Sequence, residues 1–262
     1  MYFLPVSRGD AAVREATSDR GQQLIGPEGA PPDPGAEAGP ATDPPYDFPP
    51  YRSTGLRHPT RPLVEMAPGP LETIGPLLGD GRVQPADHDL TRQAQGDPIG
   101  SRMSVSGRIL DASGRPVRGQ LVEMWQANAA GRYHHRWDQH PAPIDPNFRG
   151  AGRCLTDDDG RYRFVTVVPG SYPWGNHPNA WRPAHLHFSV FGTAFTERLV
   201  TQMYFPGDPL LAHDPIFHGV RDPEARQRMI ATFDWSTTEE NFALGYHFDI
   251  VVSGRLSTPT EP

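Results

Sequence analysis

From Met103 onward the chain alternates apolar and polar positions in short runs, the period of half-buried strands. Val105-Ser106-Gly107-Arg108-Ile109-Leu110 alternates, Asp111-Ala112-Ser113-Gly114 supplies a turn, and Leu121-Val122-Glu123-Met124-Trp125 resumes the pattern. Further strands are predicted over Gly152 to Thr156, Tyr162 to Val165, Ala184 to Phe191, Arg198 to Phe205 and Tyr246 to Val252. Asp157-Asp158-Asp159-Gly160 reads as a hairpin turn, because a calcium loop needs flanking helices and a later bidentate glutamate. One short helix is predicted late in the chain, from Pro223 to Phe233, with Asp222 as N-cap and proline at the first helical position. The pattern predicts an all-β chain, an antiparallel β-sandwich with an irregular N-terminal arm and one short C-terminal helix.

Residues 1–45 carry no such period. They are rich in Gly, Ala, Pro and Asp, and Pro31-Pro32-Asp33-Pro34-Gly35 and Ala41-Thr42-Asp43-Pro44-Pro45 predict an extended or disordered arm. Residues 46–100 are mixed and proline-broken, with short apolar pieces at Leu63-Val64 and Leu77-Leu78; irregular chain packed over a core is expected there. Residues 101–262 form the sandwich domain.

The strand that ends in Ser189-Val190-Phe191 opens with Trp181-Arg182-Pro183-Ala184-His185-Leu186-His187-Phe188. Alternation places His185 and His187 on one face, about 7 Å apart along the strand, a spacing from which two imidazoles close on one metal ion. An HxH pair is also common among core and edge histidines, and that alternative stays open from the pair alone. Upstream stand Tyr133, in Gly131-Arg132-Tyr133, and Tyr172, in Pro169-Gly170-Ser171-Tyr172-Pro173-Trp174. Phenolate is a hard anionic donor and imidazole a borderline one, so two of each suit a hard trivalent ion such as Fe(III). A bound cation holds tyrosine as phenolate far below its usual pKa near 10. Taken alone, either tyrosine is better read as a half-buried loop aromatic.

Charge and cysteine content narrow the rest. At 262 residues and net charge −7, with a pI near 5.8, the chain repels nucleic acid and anionic membrane. An anionic substrate therefore needs a local arginine. The lone Cys154 and the absence of a long apolar run lead us to expect a cytoplasmic protein.

Leu121-Val122-Glu123-Met124-Trp125-Gln126-Ala127-Asn128, Gly131-Arg132-Tyr133, Asp145-Pro146-Asn147-Phe148, Gly152-Arg153-Cys154-Leu155-Thr156-Asp157, Pro169 to Trp174 and Trp181 to Phe188 together resemble the intradiol ring-cleaving dioxygenases. The similarity runs from Tyr51 to Arg255 and takes in Thr201-Gln202-Met203-Tyr204-Phe205 and Gly207-Asp208-Pro209-Leu210. Tyr172 follows Tyr133 by 39 positions and His185 follows Tyr172 by 13, a spacing similar to the family's iron-binding beta-type subunits.

The resemblance implies one non-haem Fe(III) per chain, with Tyr133 and His185 as equatorial ligands and Tyr172 and His187 as the axial pair. Tyr172 is the ligand expected to leave when a catechol chelates. Arg182 matches the arginine beside the reacting carbon, Trp174 and Gln202 match pocket walls, and Tyr51 resembles a phenol that helps hold a substrate carboxylate. The implied reaction is O2-dependent cleavage of protocatechuate to 3-carboxy-cis,cis-muconate, with a homologous, metal-free alpha subunit completing the pocket. His134 and His135 flank Tyr133 but match no ligand position and read as loop residues. Two alternatives remain at this level: a sandwich-type binding module whose histidines and tyrosines merely pack, and an intradiol enzyme for a hydroxyquinol or chlorocatechol.

Overall fold

The computed structural model describes residues 43–64, 83–191 and 198–261. Two sheets face each other across one core. In the first, β1 (Arg102–Leu110) pairs antiparallel with β4 (Arg161–Val167) along one side. Along its other side run β10 (Leu244–His247) and β11 (Ile250–Val251), and β9 (Thr232–Phe233) adds to β10. The second sheet has the order β3 (Ala151–Leu155), β2 (Leu121–Trp125), β7 (His185–Phe191), β8 (Leu199–Tyr204), antiparallel throughout. A two-stranded ribbon, β5 (Tyr172–Pro173) with β6 (Trp181–Arg182), projects beside it.

The apolar half of each alternation meets in the middle. Met103, Val105 and Ile109 of β1 and Phe164 of β4 pack with Val122 and Met124 of β2 and with Leu186, Phe188 and Val190 of β7, all fully buried. Phe188 is the hinge of this cluster, its ring 5.6 Å from Tyr162, 6.2 Å from Phe164 and 5.6 Å from Phe248. Because Leu186 and Phe188 point into the core, His185 and His187 must point out of the opposite face of β7.

Several expectations are corrected. Asp157 to Gly160 does form a turn, and the Asp157 carboxylate accepts the N–H groups of Asp159 and Arg161. It is not a hairpin, however: β3 and β4 belong to different sheets, so the turn carries the chain across the sandwich. The strand expected from Tyr246 to Val252 is two strands, and both run parallel to β1. They break where the Phe248 carbonyl crosses Gly107 so closely that a Cβ there would sit 1.9 Å from that oxygen.

Among the described residues three short α-helices stand in place of the single one: α1 (Thr54–Arg57), α2 (Pro215–Gly219) and α3 (Pro223–Gln227). Asp222 caps α3 as expected, accepting from Glu224 N–H. The helix ends at Gln227 because the next backbone groups pair with β8: Met229 C=O accepts from Tyr204 N–H, and Tyr204 C=O accepts from Ala231 N–H. Of the apolar pieces expected to pack, Leu63 and Val64 are exposed, and Leu77-Leu78 lies outside the described residues. Among the described residues of that stretch, Leu90, in a 3-10 turn at Leu90–Arg92, is buried in the core. The arm up to residue 42 lies outside the described residues.

Candidate metal centre

The outward face of β7 fixes both imidazoles, whose ring centroids are 4.9 Å apart. His185 Nδ1 lies 2.7 Å from the Pro183 carbonyl, and His187 Nδ1 lies 2.9 Å from a Glu261 carboxylate oxygen. Both partners only accept, so both Nδ1 atoms carry the proton and both Nε2 atoms keep a lone pair.

Tyr133 follows a tight turn. The Asn128 side chain accepts from Ala130 N–H and Arg132 N–H, and Gly131 takes φ +78°. A Cβ at Gly131 would stand 2.3 Å from the Ser171 carbonyl oxygen, so only glycine lets this turn press against the residue before Tyr172. The Asp138 carboxylate then accepts from Tyr133 N–H at 2.7 Å. Tyr172 sits in β5, directly opposite Arg182 of β6.

Four lone-pair atoms therefore converge. Tyr133 Oη is 3.1 Å from His187 Nε2 and 3.5 Å from Tyr172 Oη, and Tyr172 Oη is 3.3 Å from His185 Nε2. All four residues are buried. Burial, reinforced by the neighbouring Tyr172, pushes the Tyr133 phenol well above its usual pKa, and burial raises Tyr172 likewise. Burial, with Arg182 and His187 nearby, holds His185 well below the usual imidazole range. Left to themselves the two phenols and His185 are neutral, and a cation at the centre reverses that preference for the phenols. Among the described residues no three His, Cys, Asp or Glu side chains gather as a metal site, and the donors beside His185 and His187 are the two phenol oxygens. Two imidazoles and two phenolates fit Fe(III).

Arg182 is buried behind Tyr172. Its Nε and terminal nitrogen lie 3.3 and 3.2 Å from Asp214 Oδ2, and the same terminal nitrogen donates to Gln202 Oε1 and lies 3.2 Å from Tyr204 Oη. Burial opposes the guanidinium charge, but Asp214 together with Tyr204, Tyr172 and Tyr133 outweighs it, and the group stays protonated. The guanidinium also lies 5.6 Å from the Trp174 ring centroid. Tyr51 reaches this region from the N-terminal side: its ring is 5.3 Å from that of Trp174. Asn176 anchors the segment, accepting from Arg52 N–H and donating to the Pro50 carbonyl.

All eight residues singled out from the sequence thus lie in one connected region, and His134 and His135 are exposed loop residues. Three partners were missed: Asp214, Tyr204 and Glu261. Asp214 before Pro215 carries a readable helix-cap signal, and its Oδ1 does accept from Ile216 N–H, but nothing local points to Arg182. Glu261 carries no local signal.

A two-sheet all-β sandwich bearing a buried set of two tyrosines and two histidines defines the class, and the sequence comparisons agree. The dioxygenase family model matches residues 74–254, and the model for the protocatechuate 3,4-dioxygenase beta subunit N terminal matches residues 38–68. The chain belongs to the intradiol dioxygenase family. It is 60% identical to the protocatechuate 3,4-dioxygenase beta chain of Burkholderia cepacia, over 83% of this chain and 93% of that one. It is 40% identical to a hydroxyquinol 1,2-dioxygenase of a Rhizobium strain, over 48% of this chain and 44% of that protein. It is 28% identical to the protocatechuate 3,4-dioxygenase alpha chain of Pseudomonas putida, over 74% of this chain and 96% of that one.

Proposed function

We propose that this chain is the iron-binding chain of a non-haem Fe(III) dioxygenase that cleaves protocatechuate (3,4-dihydroxybenzoate) with O2 to 3-carboxy-cis,cis-muconate. The convergence of two phenol oxygens and two imidazole Nε2 atoms within 3.1 to 3.5 Å of their neighbours carries the reading. The identity to the Burkholderia cepacia beta chain, far above that to the hydroxyquinol enzyme, supports protocatechuate as the substrate.

Tyr133, Tyr172, His185 and His187 would hold the ion. When bound, Fe(III) supplies Lewis acidity toward both catechol oxygens and draws electron density from the ring so that it reacts with O2. Tyr172 would be the side chain to make room for the substrate and to accept a catechol proton on its oxygen, and its buried setting favours the neutral phenol that results. Arg182, held side-on by Asp214, offsets negative charge on the ring during oxygen attack, a role commonly worth a few kcal/mol. Trp174, Gln202 and Tyr51 wall the pocket, with Tyr51 toward the substrate carboxylate. The bond between the two hydroxyl-bearing carbons breaks and both atoms of O2 enter the product, so no further reductant is consumed.

An alpha subunit completes the pocket in this reading and supplies cationic charge that an acidic chain lacks. The likeness to the Pseudomonas putida alpha chain and the exposure of Tyr46, Leu56, Leu63 and Val64 support it. Residues 101–262 then form the catalytic domain, residues 46–100 pack against the alpha subunit, and residues 1–45 are an appended arm. No helix among the described residues is long and apolar enough to cross a membrane, and with the unpaired Cys154 this fits a cytoplasmic site.

The test is metal analysis and product identification on the purified protein, with and without a co-expressed alpha chain. Iron near one per chain and protocatechuate turned over well ahead of catechol are expected. Zinc in place of iron, or catechol as the better substrate, overturns the assignment.

A further inference from the structure

Glu261 and His187 are 74 residues apart in the chain, yet the carboxylate sits 2.9 Å from His187 Nδ1. Backbone pairing brings it there. Residues 257–261 lie along the outer edge of β8: Glu261 N–H donates to the Val200 carbonyl at 2.8 Å, and Thr201 Oγ donates to the Pro259 carbonyl at 2.7 Å. Thr258 clamps the same segment to β11 through Val251, its N–H donating to the Val251 carbonyl and its hydroxyl accepting from Val251 N–H. The carboxylate is therefore delivered by a strand-like strap rather than by a free side chain.

Its oxygen has a second donor, Gln202 Nε2, at 2.8 Å. That bond decides which way the Gln202 amide faces. With its NH2 toward Glu261, the amide oxygen turns to Arg182 and Tyr204, accepting from the guanidinium and, at 2.9 Å, from Tyr204 Oη. The flipped amide would set two N–H donors against the arginine, which has no acceptor to offer. One carboxylate thus orients the histidine on one side and, through one amide, the arginine on the other.

We infer that Glu261 is a positioning residue of the centre: it holds His187 with Nε2 toward the metal and orients Gln202 so that its oxygen receives Arg182. This rests on the Fe(III) reading proposed above. A carboxylate behind a metal-bound histidine fixes its tautomer and raises its basicity, and its removal typically weakens metal binding about 10- to 100-fold.

The experiment compares the parent protein, purified with whatever chain accompanies it, with Glu261→Ala and Glu261→Gln. Iron release to an excess of chelator, the visible absorption band and the kcat and KM for protocatechuate are measured beside the melting temperature. In Glu261→Ala, iron should leave about 10- to 100-fold faster, the band should shift, and kcat should fall more than KM rises. Glu261→Gln keeps the shape and one acceptor and should show the same changes to a smaller degree. A lowered melting temperature with release rate and band unchanged would mean that the strap is merely structural and would overturn the inference. If Glu261→Ala does not fold, parent-like release and band in Glu261→Gln overturn it equally. A parent protein without iron overturns the functional reading and this inference together, whereas an iron-loaded parent with indifferent variants overturns this inference alone.

Discussion

Trp125 lies flat against His187, with ring centroids 4.9 Å apart and planes 3° from parallel. The two are direct cross-strand partners of β2 and β7, so the stack follows from strand register. It restrains rotation of the imidazole plane, while the bond from Nδ1 to Glu261 sets its direction.

Replacing Trp125 with Leu should therefore act on both stability and metal. The lost ring contact costs about 1 kcal/mol beyond the area change, and the freed imidazole should hold iron less completely. A melting curve and an iron-per-chain determination check this. Full iron occupancy in a destabilised variant would show that the stack only packs.

The donor set predicts colour. Two phenolate ligands should give a reddish-brown protein by charge transfer to Fe(III), and a strong chelator should bleach it. His185→Ala and His187→Ala should purify nearly iron-free, because three protein donors remain and no nearby side chain replaces the fourth. Tyr172→Phe should retain iron but bind substrate more slowly, since the leaving phenolate that takes the proton is gone. Metal analysis and stopped-flow absorbance separate these outcomes, and unchanged iron in both histidine variants would move the centre elsewhere.

The pairing of Arg182 with Asp214 complicates a simple alanine test. Arg182→Ala leaves a fully buried carboxylate without its cation, a loss of about 3–5 kcal/mol in comparable pairs. Arg182→Ala combined with Asp214→Asn should recover much of that stability but none of the turnover. Melting temperature and kcat measured across the single and double variants give the answer. Turnover recovering along with stability would remove Arg182 from the chemistry.

Cys154 should be inert in the native protein. Burial pushes its thiol up to about 12, so almost none of it is ionised near neutral pH. Iodoacetamide should leave the folded chain unmodified and label it once after denaturation, as read by intact mass. Rapid labelling of the native protein would contradict the packing around β3.

The periodic part of the fold was legible without coordinates. β2 spans the residues its alternation marks, Asp222 caps α3, and the His185-Leu186-His187-Phe188 alternation alone puts two imidazoles on one face and two core side chains on the other. A local pattern carries the period of the backbone and therefore the face each side chain takes. It carries nothing about which strand becomes the neighbour, which is why the Asp157 turn read as a hairpin and β10 and β11 were not recognised as parallel to β1.

The amino-acid sequence by itself determined that this is an all-β chain with an HxH strand, and its tyrosine spacing marked the family. Only the tertiary structure decided how the donors meet. Tyr133 and Tyr172 come together because Gly131 lets one turn touch the Ser171 carbonyl, and Arg182 is oriented by Asp214 and Gln202. The reach from Glu261 to His187 depends on a strap pairing with the edge of β8. Contacts between residues tens of positions apart arise from packing of the whole chain, where burial makes each polar group seek a partner irrespective of distance along the sequence.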